Sequence, residues 1–181
     1  NMLDLVLRTF EGDLNYSPEN NDFAIFRREE VYMGQESFSL NHIEHGIIRG
    51  DPGHPTLEGM SQAKLDRLAE LYHLIWSGSD VDARVHMALN CASAGCPDLY
   101  AGTPQALRPA LLDADLDQAT TRYLDDTSKG ANASGVSSLF TWFAQDFITT
   151  AGSVDTFIES HRTQGLDGID TSSFIDYSWD L

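Results

Sequence analysis

Two stretches of this chain gather side chains able to do chemistry. The first is Asn41-His42-Ile43-Glu44-His45-Gly46, followed shortly by Arg49; the second runs from His86 to Pro97 and holds Asn90, Cys91 and Cys96. A thiol acts as a nucleophile when it is a thiolate, which needs a base or a cation beside it, and a base needs an acceptor to orient it. Every part is present: Cys91 or Cys96 as the thiol, His45 or His86 as the base, Glu44 as the orienting acid. Asn90 and Arg49 are polar neighbours able to hold a substrate, Arg49 through an anionic group. Cys96, just before Pro97, fits a resolving thiol or a second ligand. Cys91 enters a loop of small residues, Ala92-Ser93-Ala94-Gly95, whose amides are an expected oxyanion site. Structural roles compete with each of these. Glu44 can close a capping box with Asn41, His86 can make a structural hydrogen bond, Arg49 can complement a helix end, and both thiols can be inert core residues. His42 reads as solvent-facing, and His54, His73 and His161 as structural.

The elements that must position these groups follow from pattern. Leu3, Val6, Leu7 and Phe10 recur at helical spacing, and Phe23–Phe26 is a short apolar strand candidate. Val31–Met33 and Ser37–Leu40 read as a hairpin around Gly34-Gln35. Asn41 stands where an N-cap belongs, opening a short helix that ends at Arg49, before Gly50-Asp51-Pro52-Gly53. After a Gly/Pro-rich connector, Ser61 opens a helix with an apolar stripe of Leu65, Leu68, Leu71, Tyr72, Ile75 and Trp76, stopped by Gly78. Arg84–Leu89 reads as a core strand, with Val85, Met87 and Leu89 on one face and His86 on the other. Thr103-Pro104 starts helix that runs to about Asp126, with a break near Asp113. Residues 128–135 read as a flexible insert. Ser137 and Ser153 are expected to cap two further helices, and Phe174–Tyr177 is a final strand. Strands and helices mix without regular alternation, so the expected class is α+β: one domain over residues 1–181, a small antiparallel sheet packed with several helices.

Composition narrows the function classes. The chain has 181 residues, 28 Asp+Glu against 11 Lys+Arg, and a net charge of −17. Nucleic acid and anionic membrane surfaces are disfavoured as partners, because both are bound through clustered Lys and Arg. No apolar run approaches the roughly 18–20 residues of a spanning helix. The carboxylates are dispersed, which fits a solvated acidic surface of halophilic character, its self-repulsion screened by salt. Two cysteines in one loop are not the density of a disulfide-built scaffold. Asn1-Met2-Leu3 reads as a chain trimmed at its start, compatible with an export signal upstream.

Ser39–Arg49, His86–Pro97 and Val136–Phe147 look like consecutive motifs of the DUF547 family, a domain of unknown function. Phe174–Leu181 is similar to that family's closing segment, and Asn1-Met2-Leu3 to the tail of its opening motif. The resemblance implies that Glu44, His45, His86, Cys91 and Cys96 occupy recurring polar positions. An α+β chain with a Cys, a His and an acid also resembles papain-like and transglutaminase-like thiol enzymes. Because His45 precedes Cys91, that likeness implies a circularly permuted arrangement.

Three chemistries stay open. One is a cysteine-dependent hydrolase or transferase with a small-molecule or peptide substrate. Another is a redox or glutathione-binding protein that pairs Cys91 with Cys96. The third is a structural zinc site of His45 or His86 with both thiols. Beside them stands a non-enzymatic interaction domain. The expectation is for no cofactor and no resident metal.

Overall fold

A computed structural model describes residues 19, 23–29, 31–76, 81–98 and 108–180. The helix expected over residues 1–10, the Gly78 stop and the Thr103-Pro104 helix start lie outside the described residues. The chain gathers into two compact units, Asn1–Val81 and Asp82–Leu181. The class is α+β, with helices and two small sheets of two and three strands.

In the first unit, Phe23–Phe26 is not a strand. Ala24–Arg27 forms a single helical turn, α1, entered through Phe23 at a positive φ of 54° and burying Ile25. Four apolar residues carry no period that separates strand from helix. The hairpin is as expected: β1 (Val31–Met33) pairs antiparallel with β2 (Glu36–Phe38), Val31 opposite Phe38. Next comes α2, His42–Ile48, which is wound as a π-helix: the Arg49 N–H reaches back five residues to the Glu44 carbonyl at 2.9 Å. Its cap is not Asn41, which is helical and makes no side-chain cap bond. Ser39 takes that role: its Oγ accepts from the His42 N–H at 3.1 Å while His42 Nδ1 accepts from the Ser39 N–H at 3.2 Å. This reciprocal pair has the logic of a capping box, two residues earlier than the sequence pattern indicated. It also buries His42, which the pattern had turned to solvent.

A 3-10 turn, Pro55–Leu57, leads into α3, Gln62–Trp76. Leu68 of α3 closes a core with Phe38, Ile47 and Leu57. Trp76 Nε1 donates to the Ile48 carbonyl at 2.7 Å, tying the end of α3 to the end of α2. The stripe read from the sequence holds for its first turns, whereas Ile75 is exposed.

The second unit opens where a core strand was expected. Ala83–Met87 is instead a 3-10 turn, with Asp82 Oδ1 accepting from the Arg84 N–H at 3.0 Å. The Arg84 guanidinium then binds the carboxylates of Asp82, Asp113 and Asp117 at 2.6–2.7 Å. Three carboxylates converging on one guanidinium fix the tight turn, and His86 and Met87, assigned to opposite faces, are both buried. Helix α4, Leu112–Asp125, follows a 3-10 turn at Pro109–Leu111, which is the expected break near Asp113.

Residues 128–135 are not a loose insert but a turn and a tight hairpin, β3 (Ala131–Asn132) against β4 (Gly135–Ser137). The last strand, β5 (Phe174–Ile175), lies parallel to β4, so the sheet is mixed rather than antiparallel. The helix expected after Ser137 is broken at Phe143 into α5 (Leu139–Trp142) and α6 (Ala144–Ala151). Helix α7, Val154–His161, is capped by Ser153 as expected, its Oγ accepting from the Thr156 N–H at 3.0 Å. Met87, Tyr123, Leu124, Val136, Phe140, Phe147 and Phe157 form the core. Among the described residues, no helix is long and apolar enough to cross a membrane.

The hairpin sits so close to α4 that a Cβ on Gly130 would lie 1.8 Å from the Tyr123 carbonyl oxygen. Backbone, not a movable side chain, fills that space. Gly130→Ala is expected to cost about 3 kcal/mol of stability by forced displacement of the hairpin, read as a lower midpoint in chemical denaturation.

Candidate functional site

In the second unit the loop after the 3-10 turn is folded by its own polar groups. Asn90 straps it at both ends: Oδ1 accepts from the Ala92 N–H at 2.8 Å and Nδ2 donates to the Pro97 carbonyl at 2.6 Å. Both of these Asn90 hydrogen bonds serve the loop geometry. Ala92 takes a positive φ of 64°, a mildly strained conformation for a residue with a Cβ. The closing segment then docks along the loop, the Ala94 N–H donating to the Asp180 carbonyl at 2.6 Å and the Gly95 N–H to that of Ser178 at 2.9 Å. A Cβ at Gly95 would stand 2.9 Å from the Ser178 oxygen and 3.0 Å from the Tyr177 ring, so only glycine admits this docking. From below, the buried Tyr123 hydroxyl donates to the Gly95 carbonyl at 3.0 Å.

The result is a cluster around one sulfur. Cys91 Sγ is 2.8 Å from Cys96 Sγ and 3.0 Å from both Ser93 Oγ and the Tyr177 hydroxyl. Ser93 Oγ also stands 3.0 Å from that hydroxyl, so its one proton can serve either neighbour. Cys91 is half-buried, whereas Cys96 is buried. These surroundings split the two thiols. The Cys96 S–H above all, then the Ser93 and Tyr177 hydroxyls and the Ser93 backbone N–H, draw Cys91 down from the ordinary 9.0 to about 6, against the effect of burial. Cys96 moves the other way, raised by its contact with Cys91 and by burial. Burial first, and the two thiols after it, raise Tyr177 as well. Of the two thiols, these donors favour the thiolate on Cys91, with Cys96 and Tyr177 protonated and able to donate to it.

No histidine is a hydrogen-bond partner of Cys91 among the described residues. His86 is buried, with Nε2 2.9 Å from Asp146 Oδ2 and its ring stacked on Phe143 at 4.1 Å. The pair ties the 3-10 turn to α6 across 60 residues of sequence. Glu44, His45 and Arg49 belong to the first unit. There the Arg49 guanidinium, which can only donate, places Nη1 3.0 Å from His45 Nδ1. The neutral ring accordingly carries its hydrogen on Nε2, and it stacks on His54 with centroids 3.6 Å apart. Arg49 is thus a second group able to orient His45, beside the expected Glu44, whose backbone carbonyl closes the π-turn. Among the described residues, no group of three or more His, Cys, Asp or Glu is placed to hold a metal ion. The zinc arrangement is therefore not assembled there.

Sequence reasoning missed Tyr177, Ser93 and Asp146. Ser93 was legible as the residue two places after Cys91. Tyr177 and Asp146 lie in the segments resembling family motifs, yet nothing local to them points to a thiol 86 residues away or an imidazole 60 away.

The family model described as "Protein of unknown function, DUF547" matches residues 3–124, and the chain belongs to that family. The match includes both reactive stretches, and it ends before the segments 136–147 and 174–181. No curated protein and no solved structure matches the chain.

Cys96→Ala and Tyr177→Phe each remove a donor from the thiolate, so the pH midpoint of Cys91 alkylation rises above its value of about 6, more for Cys96→Ala. Stability carries the same signature. Cys91 titrates lower folded than unfolded, so its contribution is fully present above about 9 and is lost as pH falls through about 6. Cys96 and Tyr177 are raised, so they subtract stability at higher pH. The stability difference between the wild type and Cys91→Ser, from chemical denaturation, should accordingly grow between pH 6 and pH 9. Asp146→Ala leaves a buried imidazole without its carboxylate; it should cost about 3 kcal/mol while leaving the Cys91 alkylation midpoint in place.

Proposed function

We propose that this DUF547 chain performs thiol–disulfide exchange, with Cys91 as the attacking thiolate and Cys96 as the resolving thiol. The observation that carries the reading is two sulfurs 2.8 Å apart whose acidities are driven in opposite directions. An attacking thiol with a value near ambient pH is both ionised and still nucleophilic. The half-buried sulfur is the one a reagent reaches, and the buried one waits behind it.

The steps balance on these two residues and a low-molecular-weight disulfide. The Cys91 thiolate attacks one sulfur of the disulfide; a Cys91 mixed disulfide forms and the other half leaves as a thiolate, which takes a proton from solvent. Once Cys91 is capped, the negative charge that kept Cys96 protonated is gone. The Cys91 backbone N–H, 2.8 Å from Cys96 Sγ, then helps hold the new thiolate. Cys96 loses its proton to solvent and attacks Cys91 Sγ, expelling the second half of the substrate and closing a Cys91–Cys96 disulfide. A thiol of the same class reverses the sequence and restores the dithiol.

Hydrolysis or acyl transfer is the other chemistry open to an activated thiol, and it calls for free amide donors at a developing oxyanion. The loop amides are committed elsewhere: Cys91 to Cys96 Sγ, Ala92 to Asn90, Ala94 and Gly95 to the closing segment, and Cys96 to the Ser93 carbonyl. The exchange reading does not draw on a papain-like arrangement.

Intact-mass analysis after incubation with a small disulfide tests the reading. The wild type should lose one pair of hydrogens and gain no adduct, Cys96→Ser should accumulate a mixed disulfide on Cys91, and Cys91→Ser should not react. Thiols that are modified only after denaturation would remove the proposal.

A further inference from the structure

Three aromatic rings pack together next to the thiol loop, Tyr177 reaching the sulfur through its hydroxyl, and the exchange chemistry uses none of the ring faces. Tyr177, whose hydroxyl is 3.0 Å from Cys91 Sγ, packs its ring against Trp142 at 4.9 Å and Trp179 at 4.7 Å. Trp142 and Trp179 face each other at 6.0 Å with planes 20° apart. Trp142 is 47% exposed, a large apolar ring left at the surface one ring away from the thiol's partner Tyr177. The rings thus run continuously from solvent to the sulfur.

The groups bonded to the sulfur are uncharged and the charges flanking the rings in the closing segment are negative, while Lys129 reaches the thiol loop at Asp98, in an ion pair. The hydrogen-bond partners of Cys91 are neutral: a thiol, two hydroxyls and backbone N–H groups. No cation is among them to offset the thiolate. Asp176 and Asp180 flank the aromatic pair of the closing segment, and both are exposed. The chain as a whole carries −17. An anionic substrate meets a negative sulfur in a negative protein, where the described hydrogen-bond partners of that sulfur include no cation. A cationic one gains from that field and from the electron-rich face of an exposed tryptophan.

From this we infer that the exchange partner of Cys91 is a low-molecular-weight disulfide of net positive charge, an amine without carboxylates, its ammonium held on the Trp142 face, and not the disulfide of glutathione, whose carboxylates outnumber its ammonium groups. The inference rests on the exchange reading above and adds the substrate's charge class to it. The reaction is the one already balanced: the Cys91 thiolate forms the new S–S bond, and an amino-thiolate leaves and is protonated by solvent.

The experiment compares the rates at which the reduced full chain reacts with three disulfides: cystamine (cationic), hydroxyethyl disulfide (neutral) and oxidised glutathione (anionic). Each rate is divided by that of the same disulfide with free mercaptoethanol, which removes intrinsic reactivity, and circular dichroism monitors the fold. The expected order is cationic, neutral, anionic, with about a tenfold spread at low salt that narrows as salt is added. Trp142→Ala should lower the cationic-to-neutral ratio about fivefold. Equal normalised rates for the three, or a ratio unmoved by Trp142→Ala, overturn the inference while leaving exchange itself standing. Failure of Cys91 to react with any of the three overturns the exchange reading instead.

Discussion

A thiolate held without a cation beside it must be stabilised by hydrogen-bond donors, and the second unit is arranged around meeting that need at Cys91. The donors come from two places in the chain. Cys96 and Ser93 arrive with the loop itself, while the Tyr177 hydroxyl comes from the closing segment. Bringing that segment in requires the loop amides at Ala94 and Gly95 to take its carbonyls, and requires Gly95 to have no side chain. The same docking that delivers Tyr177 thus consumes the amides that acyl chemistry would need. One packing decision thus both supplies a donor to Cys91 and occupies the amides beside it.

The loop is held from beneath as well as from above. The buried Tyr123 hydroxyl bonds both the Gly95 carbonyl and Ser137 Oγ, linking the thiol loop to α4 and to β4. Strand β4 pairs in turn with β5, which leads directly into Tyr177. The mixed sheet is therefore the element that sets where the closing segment runs. His86 and Asp146 contribute at the other end, anchoring the 3-10 turn that precedes the loop to α6. Their buried pair is costly to break from one side, which makes it a firm anchor.

The first unit follows a separate logic. Ser39 and His42 cap each other, and the π-wound turn that follows presents His45 to Arg49 and to the His54 ring. A π-turn inserts an extra residue per turn and is uncommon outside functional or strained places. Here it sets the side chains of the first reactive stretch at spacings that an ordinary α-helical reading of the sequence does not give.

Much of the chain was legible from its residues alone. Apolar period identified α3, Gly34-Gln35 placed the first hairpin, Ser153 marked the start of α7, and the short spacing of Cys91 and Cys96 in a small-residue loop allowed the contact the two sulfurs make. Each of these rests on information local to a few residues: period, turn chemistry or a cap. What the sequence misread was decided by contacts between distant residues. Arg84–Leu89 has the alternation of a strand, yet three carboxylates from two segments bind Arg84 and fold it as a 3-10 turn. The cap moved from Asn41 to Ser39 because His42 had its own side chain to offer. The acidity of Cys91 was beyond local reading for the same reason. It depends on a tyrosine 86 residues away, and composition records that this tyrosine exists, while only the tertiary fold places its hydroxyl 3.0 Å from the sulfur.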